Sequence, residues 1–336
     1  MFITIIVPCY NEEAVIEATH TRLSSVCEEQ TWDVEYLYIN DGSCDQTEQL
    51  LDTLAMQDSS VRVLKFSRNF GHQAAVCAGL DHAHGDAAVI IDADLQDPPE
   101  LIPTMVDMWQ KGEGRIIYGK RTSRDGETWF KKWSAGAFYR LIDYLSDTPL
   151  PRDTGDFRLV DRKVIEAFKK LPERNKYIRG LFPWLGFKAV PLEYHRDARL
   201  AGETKYPLAK MLRLAFNGIF SFSRKPLQMA TNLGVFNLVA SLLLMVYVFV
   251  SYFSKQIESV PGWASTMLVL VFFSGIQLVS LGLLGAYVGR IFEEVKGRPE
   301  YVVEEEISCK RVNQIPNTVT LQKSSHQATE QQKLKA

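Results

Sequence analysis

The chain has 336 residues, 38 of them basic and 40 acidic, for a formal net charge of −2. That balance leaves no cationic excess for a nucleic-acid partner, and the length suits one large domain or two modest ones. Hydrophobic residues make up 46% of the chain, interleaved with charge before about residue 205 and then gathered into two long runs between Leu227 and Val288. The five cysteines are scattered with no Cys-x-x-Cys pair, which argues against a disulfide framework or a zinc site and for a reducing compartment.

The opening Met-Phe-Ile-Thr-Ile-Ile-Val-Pro has no basic leader and too short an apolar run for a signal peptide. Phe2 to Val7 is expected to be a first strand, closed by Pro8, with a helix opening at Asn11-Glu12-Glu13. Val34 to Ile39 reads as the second strand and stops at Asn40-Asp41-Gly42-Ser43; a helix over Asp45 to Met56 and a third strand over Val61 to Phe66 follow. A helix from Gln73 to His84 leads to an apolar strand, Ala87 to Ile91, that ends in Asp92-Ala93-Asp94-Leu95-Gln96-Asp97. Leu101 to Trp109 is then a helix and Ile116 to Gly119 a fifth strand. Strands alternating with helices through short links predict a parallel sheet covered on both faces. Phe182, Trp184 and Phe187 read as core.

Three strand ends carry polar clusters, around Pro8 to Glu12, Asp41 to Ser43 and Asp92 to Asp94. No Gly-x-Gly-x-x-Gly follows the first strand and no Gly-x-x-x-x-Gly-Lys-Ser/Thr is present, so dinucleotide-binding and P-loop chemistry lose their motifs. If the extended conformation persists, Asp92 and Asp94 project to the same side. Paired carboxylates at the C-terminal edge of a strand lie where open α/β sheets hold ligands, and they repel each other unless a cation lies beside them. A hard divalent ion sharing its shell with substrate phosphates suits that position. Asp41 is placed to accept a base N–H and Tyr10 to pack on the ring.

After the sheet, Glu127 to Ser146 reads as an aromatic-rich amphipathic helix, followed by Asp153-Thr-Gly-Asp156-Phe-Arg158-Leu. Residues Leu208 to Phe220 form one apolar helical stripe with Lys210, Arg213 and Asn217 off it, the pattern of a helix lying in a membrane interface. Leu227 to Phe253 and Trp263 to Val288 are each long enough to span a bilayer, and the short link between them makes a hairpin. Basic residues flank the outer ends of both runs, which puts both termini in the cytoplasm. Gly275, Gly282, Gly285 and Gly289 in the second run offer a face for self-association.

Taken in order, Val-Pro-Cys-Tyr-Asn-Glu-Glu, Asn-Asp-Gly-Ser, Asp-Ala-Asp-Leu-Gln-Asp-Pro-Pro-Glu and Thr-Gly-Asp-Phe-Arg-Leu closely resemble the inverting family 2 glycosyltransferases of the GT-A fold. Within that family the chain looks like the polyprenyl-phosphate hexosyltransferases: bactoprenol glucosyltransferases and, more distantly, dolichyl-phosphate mannose synthases. The resemblance covers about residues 1 to 300. It implies that Pro8, Tyr10, Asn11, Glu12 and Asp41 bind the nucleoside and that Asp92 lies beside the diphosphate. It also makes Asp94 and Gln96 the ligands of Mg²⁺ or Mn²⁺, and Asp156 the catalytic carboxylate near the acceptor. A phosphate monoester is already largely anionic at neutral pH, so Asp156 acts either as a base on the monoanion or as a positioning group. Two basic clusters are expected to receive the acceptor phosphate: Lys120 and Arg121, and a segment with Arg199, Gly202, Thr204, Lys205 and Tyr206 that resembles the family's Arg-x-x-Gly-x-Ser/Thr-Lys-Tyr element.

The expected organisation is an α/β GT-A catalytic domain (Rossmann-like, mostly parallel sheet covered by helices) over 1–204 and an interfacial helix over 205–225. Two transmembrane helices over 226–290 and a cytoplasmic tail over 291–336, disordered beyond 308, complete it. The expected reaction is metal-dependent transfer of a hexose from a nucleotide sugar, UDP-glucose favoured, to polyprenyl phosphate. A processive polysaccharide synthase and an inactive membrane scaffold are the rivals.

Overall fold

The structure is a computed structural model that describes residues 1–121, 154–174, 176–194, 225–253 and 262–308. Its centre is one eight-stranded sheet: β1 (Phe2–Cys9), β2 (Asp33–Asn40), β3 (Val61–Phe66), β4 (Ala87–Ile90), β5 (Ile116–Arg121), β6 (Thr154–Asp161), β7 (Ala189–Tyr194) and β8 (Val303–Ser308). In space the order is β7-β5-β6-β4-β1-β2-β3-β8. The four expected strands β1 to β4 run parallel, and they are apolar on both faces because helices cover both.

Helices α1 (Ile16–Glu28), α2 (Thr47–Gln57) and α4 (Ile102–Gln110) pack one face of the sheet with Ile3, Ile5, Val7 and Tyr38. On the opposite face lie α3 (His72–His82), α5 (Arg162–Lys169) and α6 (Ile178–Trp184), packed with Ile6, Leu37, Ile39 and Ile90. Expected and observed boundaries agree to within a few residues, except that α1 starts at Ile16 and not at Asn11. There the Glu12 carbonyl accepts the N–H groups of both Val15 and Ile16, closing a turn before the helix.

The sheet is mostly parallel around β1 to β4, as expected, and mixed beyond β4. β6 runs antiparallel between β4 and β5. Its register sets Ile90 opposite Arg158, so Asp156, two residues towards the start of β6, continues past the end of β4 beside the Asp92 segment. Trp184 also departs from expectation: it closes α6 at 56% exposure, whereas Phe182 is buried under the sheet. The helix expected over Glu127 to Ser146 and residues 205–224 of the expected interfacial helix lie outside the described residues.

Two further helices, α7 (Lys225–Phe253) and α8 (Trp263–Lys296), are long and apolar enough to cross a membrane. At 1.5 Å per residue α8 is about 51 Å long, well beyond a hydrocarbon core of about 30 Å. Its last turns are charged and meet the catalytic domain: the Glu294 carboxylate accepts the Arg174 N–H at 3.0 Å. Gly297, left-handed at φ 61°, ends α8, and the chain turns back onto the sheet.

The stretch before 308 is thus not a tail. β8 pairs antiparallel with β3, with Glu306 at 3.2 Å from Arg62 and Glu305 at 3.2 Å from Lys65. Tyr301 stacks on Phe66 at 5.2 Å and its hydroxyl donates to Asp81 at 2.9 Å. Three consecutive glutamates, Glu304 to Glu306, keep Val303–Ser308 from reading as a strand, yet they suit an exposed sheet edge. Replacing Tyr301 by Ala removes both contacts and should destabilise the catalytic domain by about 2 kcal/mol, read as a lower melting temperature.

Candidate active site

The site begins at the C-terminal ends of β1, β2 and β4. Pro8 is buried within β1, opposite Ile39, whereas Tyr10 beyond the strand is 41% exposed with its ring free to receive a planar group. Asn11, left-handed at φ 55°, is committed to the neighbouring loop: its side-chain oxygen accepts the Cys44 N–H at 2.8 Å and its own N–H donates to Ser43 at 3.1 Å. The Glu12 N–H donates to Thr47 at 2.8 Å, which fixes this turn against the start of α2.

Asp41 is buried and accepts the N–H groups of Phe70 at 2.6 Å and Gly71 at 3.0 Å. Burial pushes its carboxyl up, partly offset by those two donors. The approach is possible because Gly42 has no side chain: a Cβ there would lie 2.5 Å from the Arg68 carbonyl carbon. Asp41 therefore holds the loop that delivers His72 to the centre of the site.

At β4 the strand ends at Ile90, and the chain turns over Ala93 and Asp94. Leu95 adopts φ 55°, which an apolar branched residue seldom does, so backbone strain is stored at this turn. The extended conformation that would set Asp92 and Asp94 side by side does not persist. Instead Asp94 accepts the Gln96 N–H at 3.2 Å, the Gln96 side chain is buried, and Asp97 accepts a hydrogen bond from the Tyr194 hydroxyl.

Asp156 is only 4% exposed. Arg179 of α6 grips it with two parallel bonds, Nε to Oδ1 and Nη2 to Oδ2, both 2.9 Å. His72 Nε2 lies 3.1 Å from Oδ2 of the same carboxylate and 3.8 Å from Asp92. Arg158 is buried beneath, bonded to the Gly155 carbonyl at 2.9 Å with its guanidinium over the Phe182 ring. The structure thus brings Asp92 and Asp156 to the same nitrogen of one imidazole.

Four carboxylates meet here, and their charges set one another. Burial pushes Asp92 up to about 6; His72 opposes that, while Asp156, Asp97 and Asp94 add to it. Burial also disfavours the Asp156 anion, but Arg179 and His72 outweigh it and hold this carboxyl well below the usual range. His72 is pulled down by burial and lifted more strongly by Asp156 and Asp92, to about 9.

Of the basic residues expected to meet an acceptor, Lys120 pairs with Glu193 at 2.7 Å on the exposed end of β5. Arg121 ends β5 opposite Tyr194; Arg199, Thr204 and Lys205 lie outside the described residues. The sequence expectation gave Arg179 no role, and no spacing or motif sets it apart from the other arginines; only the packing of α6 beside β6 does.

The His72 ion pairs stabilise the fold below the free histidine value of 6.5 and are lost as pH rises through about 9. Asp156 contributes above the ordinary carboxylate range and is lost only in strong acid. The melting temperature should fall between about pH 6.5 and about pH 9, and His72→Gln should flatten that fall. An equal fall in both proteins would assign it to another group.

Residues 4–168 match the family described as glycosyl transferase family 2. An uncharacterized glycosyltransferase, YkcC, of Bacillus subtilis is 48% identical over 304 residues, covering 90% of this chain and 93% of that protein. A second, sll0501 of Synechocystis, is 42% identical over 90% of this chain and 95% of its own length. The protein named bactoprenol glucosyl transferase of Shigella phage SfV is 39% identical, over 91% of this chain and 99% of its own. With matches that run through both apolar helices as well as the sheet, the chain belongs to glycosyl transferase family 2 and is a glycosyltransferase of the GT-A fold.

Proposed function

We propose that this enzyme transfers glucose from UDP-glucose to a polyprenyl phosphate, with inversion, at the cytoplasmic face of a membrane. Glycosyl transfer to a lipid carrier is the coarser statement, supported by relatives named for bactoprenol that match over 91% of this chain. The observation that carries the reading is a carboxylate cluster on a sheet edge whose chain continues into two bilayer-length apolar helices. A lipid acceptor keeps its chain in the bilayer and its phosphate at the interface, so the enzyme must hold a soluble donor there. The return of β8 to the sheet joins the catalytic domain directly to the end of α8.

The roles follow the order of strands along the edge. Tyr10 and Asp41, on the β1 and β2 side, take the nucleoside. Asp92 lies at the diphosphate, and Asp156 on β6 faces the sugar and the acceptor. Among the described residues no three His, Cys, Asp or Glu side chains form a metal site by themselves. The crowding of negative charge at Asp92 nonetheless suits a divalent cation that completes its shell with substrate oxygens. Asp94 and Gln96 would hold Mg²⁺ or Mn²⁺, which when bound supplies positive charge to the departing diphosphate. Gln96, now buried, would need to turn its amide oxygen outward.

An acceptor phosphate oxygen attacks the anomeric carbon from the face opposite the diphosphate. The carbon–oxygen bond to UDP breaks, and a sugar–phosphate bond forms with inverted configuration. Basic residues at the outer ends of the two spans, Arg224 and Lys225 before and Arg290, Lys296 and Arg298 after, support a cytoplasmic catalytic domain.

The test is to incubate purified full-length protein with Mg²⁺ or Mn²⁺, undecaprenyl phosphate and a panel of labelled nucleotide sugars, and then extract the lipid. Label from UDP-glucose should appear in a lipid carrying one sugar. A polymer would point to a processive synthase, and no lipid label from any donor would reject the reading. Asp94→Ala should lower transfer by about a hundredfold or more without loss of fold.

A further inference from the structure

We propose that Arg179 and His72 form the cradle for the phosphate monoester of the acceptor, with Asp156 serving as the buried anchor that aims both cations instead of as a base. The inference rests on the reading of the enzyme as a polyprenyl-phosphate glycosyltransferase and assigns the acceptor subsite within it.

The first observation is the direction of exposure. Asp156 is 4% exposed, whereas the side chains of Arg179 and His72 that cover it are 35% and 36% exposed. The carboxylate lies underneath and the cations face the cleft. Arg179 uses Nε and Nη2 on Asp156, and His72 uses Nε2. Among the described residues, Arg179 Nη1 and His72 Nδ1 make no hydrogen bond, so each retains a donor for an incoming anion. A planar guanidinium held along one edge by a carboxylate keeps its other edge oriented for phosphate oxygens.

The second observation is placement. Tyr10 and Asp41 belong to β1 and β2, Asp92 to the end of β4, and Asp156 to β6, the next strand in spatial order. A donor laid from β2 towards β4 puts its sugar over the β4–β6 boundary, which leaves the β6 side to the acceptor. Gln73, next to His72, accepts the Ile178 N–H at 3.1 Å, so the ends of α3 and α6 that carry the two cations are tied together. Three further carboxylates, Asp92, Asp94 and Asp97, make the surroundings hostile to a dianion unless cations receive it.

The third observation concerns the proton. Both oxygens of Asp156 are already bonded to cations, which leaves a weak base. A phosphate monoester with a second pKa of about 6 is mostly a dianion at neutral pH and needs none. In the resulting step a dianion oxygen forms the bond to the anomeric carbon while the electron pair of the breaking bond leaves with UDP. No proton moves.

Farnesyl phosphate is a suitable probe, titrated into full-length enzyme with UDP and Mg²⁺ by calorimetry, with UDP affinity measured in parallel. Arg179→Gln should weaken farnesyl phosphate by about tenfold or more and UDP by less than about threefold, with Arg179→Lys between. Asp156→Asn should weaken farnesyl phosphate similarly by releasing Arg179, and the double variant should lose little more. Inorganic phosphate should compete, and farnesol should not bind with any dependence on Arg179.

Three results would overturn the assignment. They are a parallel loss of UDP, which gives the cations to the donor; unchanged farnesyl phosphate binding in Arg179→Gln; and an Asp156→Asn enzyme that binds farnesyl phosphate normally but loses turnover, the signature of a base. Retained UDP binding in each variant separates these results from misfolding. A wild type that binds farnesyl phosphate through Arg179 yet transfers no sugar would reject the proposed reaction and leave the phosphate site standing.

Discussion

A carboxylate buried in the interior is tolerable only when cations neutralise it, and Asp156 is neutralised from two sides. Arg179 grips it edge-on from α6, and His72 reaches it from the start of α3. Removing either partner leaves charge uncompensated in a poorly solvated place, so this cluster constrains the relative positions of β6, α3 and α6. The same constraint explains why His72 holds its proton at neutral pH, while burial and the neighbouring carboxylates raise Asp92 to about 6 against the pull of that imidazole. The groups that make the buried charge tolerable also face the cleft.

The loop from Arg68 to Gly71 connects this cluster to the nucleoside side of the site. Asp41 receives two backbone donors from it, and Gly42 permits its close approach. One carboxylate at the end of β2 thereby governs where His72 stands at the end of β4, so residues several strands apart along the edge are mechanically joined. The strained turn at Leu95 adds to this: the Asp-x-Asp segment is bent away from β4 and not simply extended from it.

The opposite edge of the sheet meets the two long apolar helices. Glu294 caps the Arg174 N–H, Tyr301 docks on Phe66 and Asp81, and β8 completes the sheet beside β3. Tyr301 binds Asp81 near the C-terminal end of α3, whose first residue is His72. The helix that delivers a cation to the active site is thus held at its far end by the chain emerging from α8.

Much of this was legible in the chain itself. Continuous apolar runs bounded by polar clusters revealed β1 to β4, because strands covered on both faces need no alternation. The two long apolar helices declared themselves by length and hydropathy, and the ordered motifs around Tyr10, Asp41, Asp94 and Asp156 carried the family. β6 was hidden because Asp156 and Arg158 occupy buried strand positions that a hydrophobic pattern would fill with apolar residues. β8 was hidden for the converse reason, as an edge strand whose charges are satisfied by Arg62 and Lys65 from another strand. Arg179 carried no signal at all, since an arginine's role depends on which carboxylate it meets. Periodicity and motif order determined the sheet, the spans and the family; long-range pairing of charges, invisible to any local pattern, was decided only when β6, α3 and α6 came together around one buried carboxylate.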